Sequence, residues 1–152
     1  MKSILTTRSN DWAPLIGRLA LGVMVFTHGA QKLLGWFGGY GFKGTMGFMT
    51  GAMHLPWIIG FLVIIIEFFG GLFLLLGLIT RIAALAVTLS FLGVVLKVHL
   101  ANGFFMNWGM AAGKGEGVEF FILLFGLSLG LLITGGGKAS IDSIWSPSSL
   151  EN

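Results

Sequence analysis

From Trp57 to Ile79 the chain is apolar apart from a single charge, Glu67, near the middle of the run. Such a run, about 23 residues long, has the length a helix needs to cross about 30 Å of hydrocarbon. In that medium the backbone must satisfy its own hydrogen bonds, so the segment is expected to be a spanning helix. Three other stretches are read as spans: Pro14 to Phe37, whose apolar run from Leu15 to Phe26 turns polar at Thr27, His28, Gln31 and Lys32, then Ile82 to Leu100 and Val118 to Thr134. The expectation is an all-α integral membrane protein, a four-transmembrane-helix bundle. It divides into an N-terminal segment 1–13, a membrane domain 14–134 and a polar tail 135–152.

Composition supports this and narrows the chemistry. Charged residues make up 10% of the chain and hydrophobic ones 55%, too little charge to cover the surface of a soluble domain. The 25 glycines and 14 phenylalanines suit helices that approach closely on small residues and face lipid with large ones. The nine Lys and Arg are scattered singly, which argues against nucleic acid as a partner. With no cysteine, the chain has no disulfide, thiol centre, Cys-ligated cluster or covalently attached haem. Nor does it carry a metal-site motif. Redox chemistry would have to come from a bound cofactor or a partner.

Four spans would put both termini on one side. Lys2, Arg8, Arg81 and Lys138 would lie there, opposite Lys43 and Lys114, a distribution that favours cytoplasmic termini. Trp36, Trp57 and Trp108 would mark the outer interface, with Trp12 and Trp145 at the inner one. Lys2 and Arg8 precede an apolar stretch that no small-x-small cleavage site follows, so the stretch is read as a retained span. A very tight turn at Thr80-Arg81 is expected to join the second and third spans as antiparallel neighbours.

Ionisable groups inside the spans are the candidate site, since each costs on the order of 3 kcal/mol to insert and must find a partner. Glu67 shares a helical face with Gly60, Gly70, Gly71 and Leu74. His28, Gln31 and Lys32 are spaced i, i+3, i+4 and share another face. Lys97 and His99 sit near the outer end of the third span but about 200° apart on an ideal helix. Glu116 and Glu119 open the fourth, Glu119 on a face with Gly126 and Gly130. The expected outer-half cluster is His28, Lys32, Glu67, Lys97 or His99, and Glu119. Its structural alternative is two ion pairs, Glu67–Lys32 and Glu119–Lys97, that set helix register. Arg18, near the inner end, is expected to reach phosphates or Asp11. His28 and His99 could also be axial ligands of a haem b if they faced each other.

At these residues the chain resembles the DoxX family of small bacterial inner-membrane proteins. The resemblance runs from Gly17 to Asp142. Its segments are Gly17-Arg18-Leu19, HGAQKLLGWFGGYG from His28 to Gly41, Glu67-Phe68-Phe69-Gly70-Gly71 and Gly77-Leu78-Ile79-Thr80-Arg81. They continue with NGFFMNW from Asn102 to Trp108, Gly115-Glu116-Gly117-Val118-Glu119 and Ser140-Ile141-Asp142. It implies a four-helix bundle in the bacterial inner membrane and an association with respiratory or sulfur redox chemistry. A related branch is the large subunit of a thiosulfate:quinone oxidoreductase, and another member is linked to a membrane complex that detoxifies radicals.

The leading expectation is therefore a quinone-interacting subunit of a membrane oxidoreductase, working with a partner redox protein. Glu67 and Glu119 would move protons. His28, Gln31, Lys32, Lys97, His99 and Trp108 would contact the quinone. The alternatives are a small-solute or proton transporter, with these groups lining a path, and a non-catalytic assembly subunit. The small-residue faces also allow a homo-oligomer.

Overall fold

The computed structural model describes Thr7 and residues 10–145, and these form helices joined by loops, with no strand among them. Lys2 and Arg8 lie outside the described residues. The long helices are α1 (Trp12–Leu34), α3 (Trp57–Leu76) and α4 (Thr80–Asn102), each long and apolar enough to cross a membrane. A short helix α2 (Gly41–Gly47) lies between the first two, α5 (Glu119–Thr134) is a shorter apolar helix, and α6 (Asp142–Trp145) is a single turn. At 1.5 Å per residue, α5 spans about 24 Å, a little less than the usual hydrocarbon thickness. The outward faces carry Ile16, Val23, Ile82, Leu89, Leu123 and Ile133, all exposed, as a lipid-facing surface requires.

Local signals set the helix ends. The Asp11 carboxylate accepts from Ala13 N at 3.0 Å and caps α1, the standard use of an Asp at that position. Gly35, at φ 76°, ends the helix in the left-handed conformation. The turn between α3 and α4 is Gly77 to Ile79, with Gly77 at φ 64° and Ile79 at φ 43°. It therefore precedes Thr80-Arg81, which already belong to α4. In the glycine-rich stretch after α1, α2 continues into a wide π-helical turn, Phe48–Ala52, and buries Thr45, Met46 and Met49 against the bundle.

The bundle forms around α1. Gly22 and Gly29 on α1 and Gly71 on α3 let the two helices touch backbone to backbone. A Cβ on Gly29 would run into the Phe68 backbone, and one on Gly71 into that of Phe26. Phe26 and Phe68 then meet ring to ring at 5.2 Å. α5 packs on α4 and α1 through Phe121, Leu124 and Leu131, closing a core with Leu21, Val25, Leu74 and Val87. Gly126 and Gly130, by contrast, have open space around them, so among the described residues the small face of α5 meets no other helix.

One end of the bundle is tied shut by Arg18, which is 1% exposed. Its guanidinium donates to five backbone carbonyls: Leu74, Leu75, Gly136, Lys138 and Ala139, at 2.5–3.3 Å. It neither snorkels to the surface nor meets Asp11, because the ends of α3 and α5 leave carbonyls without helical partners and a five-donor fork can serve them. Beside it the buried Asp142 accepts from Ile79 N at 2.6 Å and Thr80 N at 2.8 Å, capping α4 from the far end of the chain. Residues 135–142, polar tail by sequence, are thus folded back onto the bundle.

Two predictions follow from this packing. Gly29→Ala and Gly71→Ala should each lower stability in detergent by about 1–3 kcal/mol through overpacking, while Gly126→Ala should be neutral or stabilising; thermal melting of the three variants side by side checks the contrast. Arg18→Lys should cost on the order of 3 kcal/mol, since one ammonium cannot satisfy the buried carbonyls that the fork serves. A melting curve superimposed on wild type would overturn that account.

A candidate site in a cavity at membrane depth

At the end opposite Arg18 the helices part around a cavity of about 1580 Å³. The face of α1 supplies His28, Gln31 and Lys32, α3 supplies Ile59, Leu62, Val63, Ile66 and Glu67, and α4 supplies Ser90, Val94, Lys97 and His99. The α2 segment contributes Thr45 and Met49, and Trp108 stands at the rim. The i, i+3, i+4 spacing on α1 thus delivers one face to one space.

Glu67 lies on a π-helical turn, Ile66–Gly70, and is 1% exposed. Its Oε2 accepts from Lys32 Nζ in an ion pair. The close glycine contact of α1 and α3 brings the two side chains within reach, with Gly29 seated against Glu67 and Phe68. π-helical turns are uncommon and recur at functional sites, and this chain has them at Phe48–Ala52, Ile66–Gly70 and Val95–His99. All three border the cavity.

The third such turn explains how Lys97 and His99 share a site. On a regular helix they would point apart, but the chain widens at Val95–His99 and tightens at Leu100–Asn102, and both side chains line the cavity. His99 Nδ1–H donates to the Glu116 carbonyl at 2.9 Å. The ring leans on Phe121 at 4.6 Å. Among the described residues Lys97 and His28 have neither a hydrogen bond nor an ion pair.

Glu119 is placed differently. It does not line the cavity; its Oε1 accepts from Trp108 Nε1 at 2.6 Å, so it reaches the site only through that indole. The alternative Glu119–Lys97 ion pair does not form. Glu116 organises the loop beneath Trp108, its Oε2 accepting from Asn107 N at 2.5 Å and its carbonyl from Asn102 Nδ2 at 3.0 Å. Gln31 is half engaged, donating to the Phe37 carbonyl at 3.3 Å.

Two lining residues carried no warning in the sequence. His54 sits in a loop at φ 54°. Ser90 is 9% exposed and its hydroxyl has no hydrogen-bond partner. A hydroxyl in an apolar helix usually bonds the carbonyl four residues back, as Thr88 does to Ala84 at 2.8 Å. Nothing local distinguishes Ser90 from Thr88.

Several apolar helices around a mostly apolar cavity that holds a few ionisable groups define a helical membrane protein. The DoxX family model matches residues 13–100, and the chain belongs to that family. It is 29% identical over 135 residues to "Putative oxidoreductase CatD" of Bacillus subtilis (strain 168), covering 89% of this chain and 88% of that protein. It is 32% identical over 139 residues to "Inner membrane protein YqjF" of Escherichia coli (strain K12), covering 88% and 92%. No solved structure matches.

The ion pair yields a prediction of its own. Lys32→Met leaves a buried carboxylate without its counter-charge and should cost about 3 kcal/mol, whereas pairing it with Glu67→Leu should recover most of the loss. A double-mutant cycle read by thermal melting measures the coupling, and simple additivity of the two changes would show that the pair contributes nothing.

Proposed function

We propose that this protein is the quinone-binding membrane subunit of an oxidoreductase system, crossing the bacterial inner membrane four times with both termini cytoplasmic. The observation that carries the reading is the single cavity in which Glu67–Lys32, His28, Lys97 and His99 meet apolar walls of Ile59, Leu62, Val63 and Phe121. A quinone asks for that combination: hydrogen-bond donors for its ring oxygens, a proton donor nearby and apolar surface for the rest. When bound, it would supply two-electron, two-proton redox chemistry. The unpartnered Ser90 hydroxyl and a volume above the usual range for a small-ligand pocket fit a ring with a substituent.

In this reading Lys32 and His28 donate to ring oxygens, the Glu67 carboxylate holds the Lys32 ammonium in place and relays protons, and Lys97 and His99 stand nearer the aqueous side. Trp108, held by Glu119, roofs the site. Without cysteine the chain has no thiol-based electron carrier, so a partner redox protein delivers the electrons. The printed name of the B. subtilis relative supports an oxidoreductase role, that of the E. coli relative supports the inner membrane, and the inner-end Arg81 and Lys138 support the orientation. A transporter reading asks for a polar path at both depths, whereas Arg18 plugs the opposite end with its guanidinium bonded to carbonyls.

The test is to purify the protein in mild detergent and measure co-extracted quinone by mass spectrometry. Wild type should carry about one quinone per chain, and Glu67→Gln and His28→Ala should lower occupancy roughly tenfold or more while still folding, the cost of one charge-assisted hydrogen bond. Quinone-free wild type that shows no thermal shift on adding quinone would sink the proposal.

A further inference from the structure

The cavity has a side opening as well as a floor. α4 packs along the second half of α3, from Ile66 to Leu76, whereas the first half, Trp57–Ile65, packs instead on α1 and α2. At Gly70 a Cβ would meet Val87 at 3.1 Å; at Gly93, two turns further along α4, it would meet nothing within 4 Å. The two helices therefore touch at one level and stand apart at the next. Ile59 and Leu62 of α3 and Leu89 and Gly93 of α4 line the cavity across this gap, and all four are exposed.

The floor is polar. Since Gly70 lies opposite Val87 and the helices are antiparallel, one turn towards the cavity brings Glu67 level with Ser90. Both are at least nine-tenths buried, and Ser90 has no partner for its hydroxyl. Polar groups at the closed end and an apolar slot leading sideways suit a ligand with a small hydrogen-bonding head and a long hydrocarbon chain. A water-soluble substrate would have no use for the slot.

We propose that the site is loaded laterally from the bilayer through the gap between α3 and α4 at Gly93, head first. The ring then reaches Glu67 and Ser90, and the chain lies between Leu62 and Leu89. This rests on the quinone reading and adds to it the route of entry, the orientation and Ser90 as a contact for the head.

The experiment uses the full chain in nanodiscs, with two probes: a long-chain quinone supplied in the lipid, and its tail-less ring analogue added from water. Binding is read by mass spectrometry for the first and by tryptophan fluorescence quenching for the second. Gly93→Phe should cut long-chain occupancy by about tenfold or more and leave the ring analogue within about twofold of wild type. Gly126→Phe, equally open but on α5, should change neither, and Ser90→Ala should weaken both alike. Melting curves establish that each variant is folded. Undiminished long-chain binding in Gly93→Phe overturns lateral entry, as does loss of both ligands, which would put residue 93 against the head. Unaltered binding of both in Ser90→Ala overturns the head-first orientation. If neither ligand binds wild type, the quinone reading itself fails and lateral entry falls with it.

Discussion

A permanently charged guanidinium buried at 1% exposure is costly in an apolar bundle unless every donor is used. Arg18 meets that demand by gathering the carbonyls left over at the end of α3 and in the turn after α5. Helix-end carbonyls that would otherwise lack partners in an apolar medium are all gathered on one side chain. Asp142 does the complementary work for donors, taking the free N–H groups of Ile79 and Thr80 at the start of α4. Together they tie α1, α3, α4 and the end of α5 at one end, while the helices separate at the other.

The cavity follows from that asymmetry. The glycines between α1 and α3 bring backbones into contact and leave Lys32 and Glu67 no choice but to meet. Beyond that level α4 leaves the first half of α3, and α2 with its wide turn fills only part of the space. A buried ion pair of this kind is weak evidence for stability, since apolar residues of the same volume would serve as well. Its setting beside free His28 and Lys97 side chains and an unpaired Ser90 hydroxyl is what favours a binding role.

The site's legibility in sequence was uneven for physical reasons. His28, Gln31 and Lys32 could be placed on one face because helical spacing alone decides it. Glu67 stood out because a carboxyl in an apolar span must have a partner, and Lys32 was within reach. Lys97 and His99 defied the regular 100° step, because a π-helical turn changes the winding there and its cause lies in packing. Glu119 looked like a second acid for the cluster, but the loop that carries Trp108 folds so that the indole intercepts it. Ser90 and His54 were silent, one a lone hydroxyl like any other and the other a histidine in a loop with no spacing to place it.

Hydropathy is a local property, so the sequence by itself determined that the chain is helical and membrane-embedded, and nearly where each long helix begins and ends. Capping by Asp11 and Gly35 is equally local. Depth, rotation and separation of the helices depend on contacts between residues far apart in the chain, and only the tertiary structure decided those. It turned Arg18 from an expected lipid anchor into the lock of one end. It sent the small face of α5 outward, and it opened a slot at Gly93 where the sequence shows nothing more than another glycine among 25.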